Sequence, residues 1–154
     1  MGIEKYVCEP RVIPYSQELV YTKLSNLKNL EQLISKEKME ELTQKGVNIS
    51  GFNLENFTAS EDRCSFKINP LGNVGIEIVE REPFRTIKFE GEKSVPFPVT
   101  FWVQLVADCE ISCKIRLTLH ADLSPMIKMM VNGYLESGIE KLADLLVSVD
   151  YSQS

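Results

Sequence analysis

Few residues in this chain are suited to chemistry, and none stands in a pattern that would focus it. There is one histidine, His120, and there are four cysteines, at positions 8, 64, 109 and 113. A catalytic centre needs partners at defined spacing. The chain has no nucleophile elbow, no His-Glu-x-x-His, no Gly-rich phosphate loop and no paired inward carboxylates. LGNVGIE at 71–77 has two glycines without the dinucleotide spacing, and a tight turn explains it. Cys109 and Cys113 form the one close thiol pair, with no second pair and no nearby histidine to complete a zinc site. Cys8, Cys64 and Cys113 are expected to be reduced and to pack as small apolar groups. No catalytic residue, metal or cofactor is assigned.

The segment around His120 shows which way that residue faces. In SCKIRLTLHAD, Cys113, Ile115, Leu117, Leu119 and Ala121 share one phase, and Lys114, Arg116, Thr118 and His120 share the other. A period of two is a strand with one buried and one wet face. His120 is on the wet one, as a surface or interface residue. In FPVTFWVQLVA, Val99, Phe101, Val103 and Leu105 point inward, and Thr100, Trp102 and Gln104 point outward. An outward Trp102 is covered either by its own neighbours or by a second subunit, which makes the outer sheet face a candidate homodimer surface.

These strands belong to a longer series. KYVCEPRVI predicts a first strand closed by Pro14. Ser16 offers an N-cap for a helix through QELVYTKLSNLKNLEQLI, with a break at Asn26, and Ser35 caps a further stretch that stops at Gly46. From Val47 the period becomes two. VNISGFNLENF and RCSFKI predict a hairpin around SED. VGIEIVERE and RTIKFEGE are joined around Pro83, and the last two strands around DCE. Six strands linked by short turns make an antiparallel meander.

The chain ends on a long helix that starts at Ser124-Pro125, with proline at the first helical position. Ile127, Val131, Tyr134, Leu135, Leu142, Leu145, Leu146 and Val149 form its apolar stripe, and Glu136, Glu140 and Asp144 lie opposite. The helix also carries Gly133 and Gly138, each costing roughly 0.8–1 kcal/mol relative to alanine. Gly133 falls on the outer side. Gly138 sits in the stripe, where a missing side chain either lets a strand approach closely or leaves a hollow. A stripe Tyr134 needs a partner for its hydroxyl, either a ligand or a backbone carbonyl. Met126, Met129 and Met130 open the helix beside a sheet end, a placement that suits an entrance.

The bulk composition narrows the function classes. The chain of 154 residues is 44% hydrophobic and has a formal net charge of -5, enough for a core in a single domain, 1–154, and unfavourable to nucleic acid. No apolar run reaches the 18 residues of a membrane span. MGIEKYVCEP lacks the charged-then-apolar pattern of an export signal, so NIS and NFT are chance matches to the glycosylation pattern and a cytoplasmic location is expected.

The order of strand, two short helices, six-strand meander and long C-terminal helix resembles the START-like superfamily, also called birch-pollen-allergen-like or SRPBCC. VIPYSQELVYTKLSNLKNLEQL resembles the opening of that superfamily. PFPVTFWVQL and PMIKMMVNGYLESGIEKLADLL resemble a group of its bacterial members, chiefly of the Bacteroidetes type. The resemblance implies an α+β helix-grip fold: a seven-stranded curved antiparallel sheet wrapped around the C-terminal helix, with an apolar cavity between them. Superfamily members bind lipids, quinones, polyketides or aromatic compounds there, and a minority catalyse reactions on them, of cyclase or dehydratase type. The residues assigned to such a cavity are Phe66, Ile78, Phe89, Phe101, Val103, Ile115, Leu117, Met130, Tyr134, Gly138 and Leu142. The partner expected is a small apolar or amphipathic ligand. Two alternatives stand beside a carrier: a cyclase- or dehydratase-type enzyme acting on such a ligand, or an interaction domain whose cavity is filled by its own side chains.

Overall fold

Pro10 has no N–H to offer a strand ladder, and it splits the first predicted strand in two. The computed structural model describes residues 2–33, 40, 44, 55–68, 71–149 and 151–152. In it, β1 (Gly2–Val7) and β2 (Arg11–Ile13) both run antiparallel to the last strand, with Val7 opposite Thr118 and Arg11 opposite Ile115. Among the described residues the sheet therefore has eight strands where seven are expected. Cys8, between the two pieces, still donates its N–H to the Leu117 carbonyl at 3.1 Å.

Two short helices follow. Ser16 caps α1 (Gln17–Leu24), its hydroxyl accepting from the Leu19 N–H at 3.2 Å. The chain breaks at Ser25–Leu27, where the Asn26 side chain accepts from the Lys28 N–H, and resumes as α2 (Lys28–Leu33). The further helix expected over 36–45 and the strand from Val47 lie outside the described residues, apart from helical Glu40 and Gln44 and the strand's end.

The meander comprises β3 (Glu55–Ala59), β4 (Arg63–Ile68), β5 (Gly72–Glu82), β6 (Thr86–Gly91), β7 (Val99–Cys109) and β8 (Ser112–Leu123). Spatial order is β1-β8-β7-β6-β5-β4-β3, all antiparallel, with β2 beside β1 on β8. Register shifts in β3, β5 and β7 mark bulges, which bend a sheet and raise its twist. Phe101 stands opposite both Phe89 and Leu119, so the inner phase continues across three strands.

The last helix, α3 (Pro125–Ser148), is capped by Ser124, whose hydroxyl accepts from the Ile127 N–H at 3.3 Å. One flank of it is fastened to the sheet edge. Tyr6 of β1 donates to Asn132 at 2.6 Å, and Lys128 pairs with Glu4 at 2.8 Å. Glu140 and Asp144, expected on the solvent side, instead hold Arg11 of β2. Beyond the helix, fully buried Tyr151 donates its hydroxyl to the Leu146 carbonyl at 2.6 Å and meets Tyr15 edge-on. This is an α+β helix-grip.

Candidate ligand cavity

The hollow follows from where α3 is tied down. The helix packs on β8, β1 and β2, while the bulged sheet curls away from it through β3–β7. The gap is an open cavity of about 670 Å³. The α1–α2 elbow closes one end with Leu24, Leu27 and Leu30, and Leu27 is pinned by its N–H to the Glu61 carbonyl at 3.0 Å. Phe57, Phe66, Phe89 and Phe101 line the sheet side, the first two stacked at 6.1 Å and the last two tilted at 5.7 Å. The helix supplies Met129 through Leu146, followed by Val149.

Eight of the eleven residues assigned from the sequence border this cavity: Phe66, Phe89, Phe101, Val103, Met130, Tyr134, Gly138 and Leu142. Ile78, Ile115 and Leu117 do not. They share the inward phase but lie in the packed core with Ile13, Val20 and Tyr151, where α1 and the end of α3 cover the sheet. Inward phase is necessary for a lining residue, and the element overhead decides whether the space is filled.

Four further placements differ from expectation or sharpen it. Tyr134 is at the mouth, 58% exposed, so its hydroxyl needs no buried partner. Gly133, expected to face outward, also borders the cavity, and a Cβ built on either glycine meets nothing within 4 Å. Close strand packing at Gly138 is therefore excluded. Met129, 88% exposed, and Met130 stand at the mouth, whereas Met126 is exposed and does not line the cavity. Trp102 is half-buried by its own neighbours: the His120 ring meets it at 4.7 Å and Lys88 lies 5.8 Å from its centroid.

Periodicity misses the lining that comes from outside the strands. The β6–β7 loop, 92–98, brings Val95 and Phe97 into the cavity wall against Leu71 and Val131. Two glycines let it do so. A Cβ on Gly91 would stand 2.5 Å from Val99 Cγ1 and 3.1 Å from Val95 Cγ2, so only glycine admits both valines. At Gly75 a Cβ would meet the Glu92 carboxylate at 2.7 Å, and that carboxylate crosses the strand to pair with Arg63. Ser94 accepts from the Gly75 N–H at 2.9 Å, and the Glu92 N–H donates to the Gly75 carbonyl at 2.8 Å. The signal available was the glycine spacing itself, which carries no indication of what approaches it.

The cavity lining is predominantly apolar. Among the described residues the buried side chains with a polar atom are tyrosines and cysteines alone, and no group of His, Cys, Asp and Glu could hold a metal. Glu90, Ser137 and Lys141 supply polarity at the border. The Cys64 thiol faces the cavity, and burial, reinforced by Glu92, pushes its pKa up to about 12, so it stays a neutral thiol. Burial likewise raises Cys8, and raises Cys113 to about 11 with help from Asp108. Exposed Cys109 is shifted the other way, chiefly by its hydrogen bond with Ser112, but it lies at the β7–β8 turn, outside the cavity. The charged groups that border the cavity are thus Glu90 and Lys141, and the thiol on its wall is neutral.

No family model matches the chain, and no curated protein matches it in sequence. Solved structures do. An aromatase/cyclase, Zhui, from Streptomyces sp. R1128 superposes with a TM-score of 0.63 at 8% identity, over 95% of this chain and 92% of that one. Norcoclaurine synthase from Thalictrum flavum gives 0.62 at 10% identity, over 95% and 85%. A START superfamily protein from Mycobacterium smegmatis gives 0.57 at 10% identity, over 92% and 94%. At such identities the likeness is one of fold.

Proposed function

We propose that this chain, START-like in fold, is a non-catalytic binding or carrier module for a small apolar or amphipathic ligand held between the curved sheet and α3. The observation that carries the reading is the cavity of about 670 Å³, in whose described lining the Cys64 thiol is the one buried polar group. Sites of roughly 300–1,000 Å³ take molecules of drug or lipid size. Burial of apolar ligand surface, worth about 25 cal/mol per Å², supplies the affinity. The glycines of α3 support the same reading, since both face empty space at a cost to helix stability.

A cyclase-type enzyme is the second reading, favoured by the aromatase/cyclase and the norcoclaurine synthase among the structural neighbours. It needs a polar group that moves a proton inside the cavity. The polar groups available are at the border, Glu90, Ser137, Lys141 and Tyr134, and the carrier reading is preferred for that reason.

Native mass spectrometry of the protein purified from its own host, without detergent or organic solvent, tests the proposal. A reproducible added mass of one compound class is expected. Bare protein that also fails to bind a panel of apolar fluorescent probes would refute it.

A further inference from the structure

We infer that the outer face of the sheet is a self-complementary surface on which a second copy of this chain docks, with the two-fold axis running along β7. This holds whatever the cavity binds. The strand register fixes which residues share a row on that face. Lys5, His120, Thr100, Glu90 and Glu77 form one row across β1, β8, β7, β6 and β5. Val7, Thr118, Trp102, Lys88 and Glu80 form the next. On β1 and β8 the outward strand positions carry Lys5, Lys114 and Arg116 against one carboxylate, Asp122. On β6 and β5 they carry Glu77, Glu80, Glu82 and Glu90 against one ammonium, Lys88. β7 lies between the basic and the acidic half and is uncharged from Val99 to Ala107.

This layout is what a two-fold contact requires. In an isologous pair a residue on the axis meets its own copy, so a charge there repels itself, and β7 supplies Thr100, Trp102 and Gln104 instead. An axis along β7 turns β8 and β1 of one copy onto β6 and β5 of the other. Lys5 then meets Glu77 of the partner subunit, and His120 meets Glu90 of the partner subunit. Val7, 54% exposed, meets the bulge at Val79 of the partner subunit, 44% exposed. Each contact occurs twice. Among the described residues no ion pair within the chain engages Lys5, Glu77 or Glu90. An axis across the strands would set β8 on β8 and β5 on β5, like charge on like. Sheets packed face to face cross at about 30°, which displaces the outermost strands by about 5 Å, within reach of a lysine and a glutamate. The outer face of a curved sheet is convex, so contact is confined to these rows and the dimer is a reversible one.

Sedimentation velocity from micromolar to millimolar concentration at low ionic strength tests this, with the emission of Trp102, the chain's one tryptophan, as a second readout. The wild type should dimerise, and added salt should weaken the dimer. Lys5→Glu and Glu77→Lys, both confirmed folded by circular dichroism, each set like charges opposite one another in two contacts. Each should weaken self-association by about tenfold or more. In an equimolar mixture of the two variants both contacts again join opposite charges, so a heterodimer of about wild-type affinity should form where neither variant dimerises alone. A wild type that stays monomeric to millimolar concentration overturns the inference and leaves the face to a partner of other sequence. Single variants that dimerise like the wild type, or a mixture that stays monomeric, overturn it as well.

Discussion

Exchanging Gly138 for alanine adds one methyl group at a point where nothing stands within 4 Å. The substitution therefore brings no steric penalty and removes the backbone-entropy cost of a helical glycine, roughly 0.8–1.0 kcal/mol. Gly133 is equally unobstructed, and the two share no contact, so their effects should add. The double variant is then more stable by about 1.6–2 kcal/mol. For a domain of this length each kcal/mol moves the midpoint by about 2–4 °C, which gives a rise of about 3–8 °C. Urea and thermal unfolding followed by circular dichroism measure it, and an unchanged denaturant slope shows that folded-state stability is what moved. A loss of stability in Gly138→Ala would refute the reasoning, because it would mean that the new methyl meets something and the hollow beside the helix is absent. The expected gain also means that this helix is less stable than its own backbone allows, as elements of natural proteins commonly are.

Other substitutions separate the filled core from the open cavity. Leu117→Ala should cost about 2–5 kcal/mol, since Leu117 is fully buried in the packed cluster, and Phe101→Ala should cost less than the usual 3–5 kcal/mol because its ring already borders empty space; equilibrium unfolding of both shows the order. Gly91→Ala should destabilise by about 1–3 kcal/mol through its clash with Val99 and Val95, whereas Gly75→Ala only displaces the flexible Glu92 carboxylate and should cost under about 1 kcal/mol. The buried thiols make stability depend on alkaline pH. Cys64 and Cys113 keep their protons to about 12 and about 11 when folded, against 9.0 for the ordinary thiol, so the unfolded chain loses protons first. Stability is full below pH 9 and falls as pH rises toward 11–12, by up to about 1.4 kcal/mol per pH unit for each thiol. Denaturant midpoints taken between pH 8 and pH 11 would show a flat line if this is wrong.

Much of the fold is written in local pattern. The alternation of SCKIRLTLHAD and FPVTFWVQLVA assigns the inner and outer faces correctly, and Trp102 and His120 do share the outer one, ring against ring. Ser16 and Ser124 mark the starts of α1 and α3 because a hydroxyl one step before a helix satisfies an orphan N–H, a contact made within three residues. Pro10 is equally local, yet its effect depends on β8 lying alongside, and the split of β1 from β2 needed the sheet to be seen.

Residue types and their order along the chain determine which side chains face inward, where helices begin and which turns are tight, because those choices depend on neighbours a few positions away. The tertiary structure alone decides whether an inward face meets another side chain or empty space. Leu117 and Phe101 are alike in phase and apolarity, but one lies beneath α1 and the end of α3 and the other beneath the gap that α3 spans. That gap exists because Arg11, Tyr6 and Glu4 fasten one flank of the helix to the sheet edge and bulges bend the sheet away from the other. Each is a contact between residues more than a hundred positions apart or the sum of several small bends. No local window contains either.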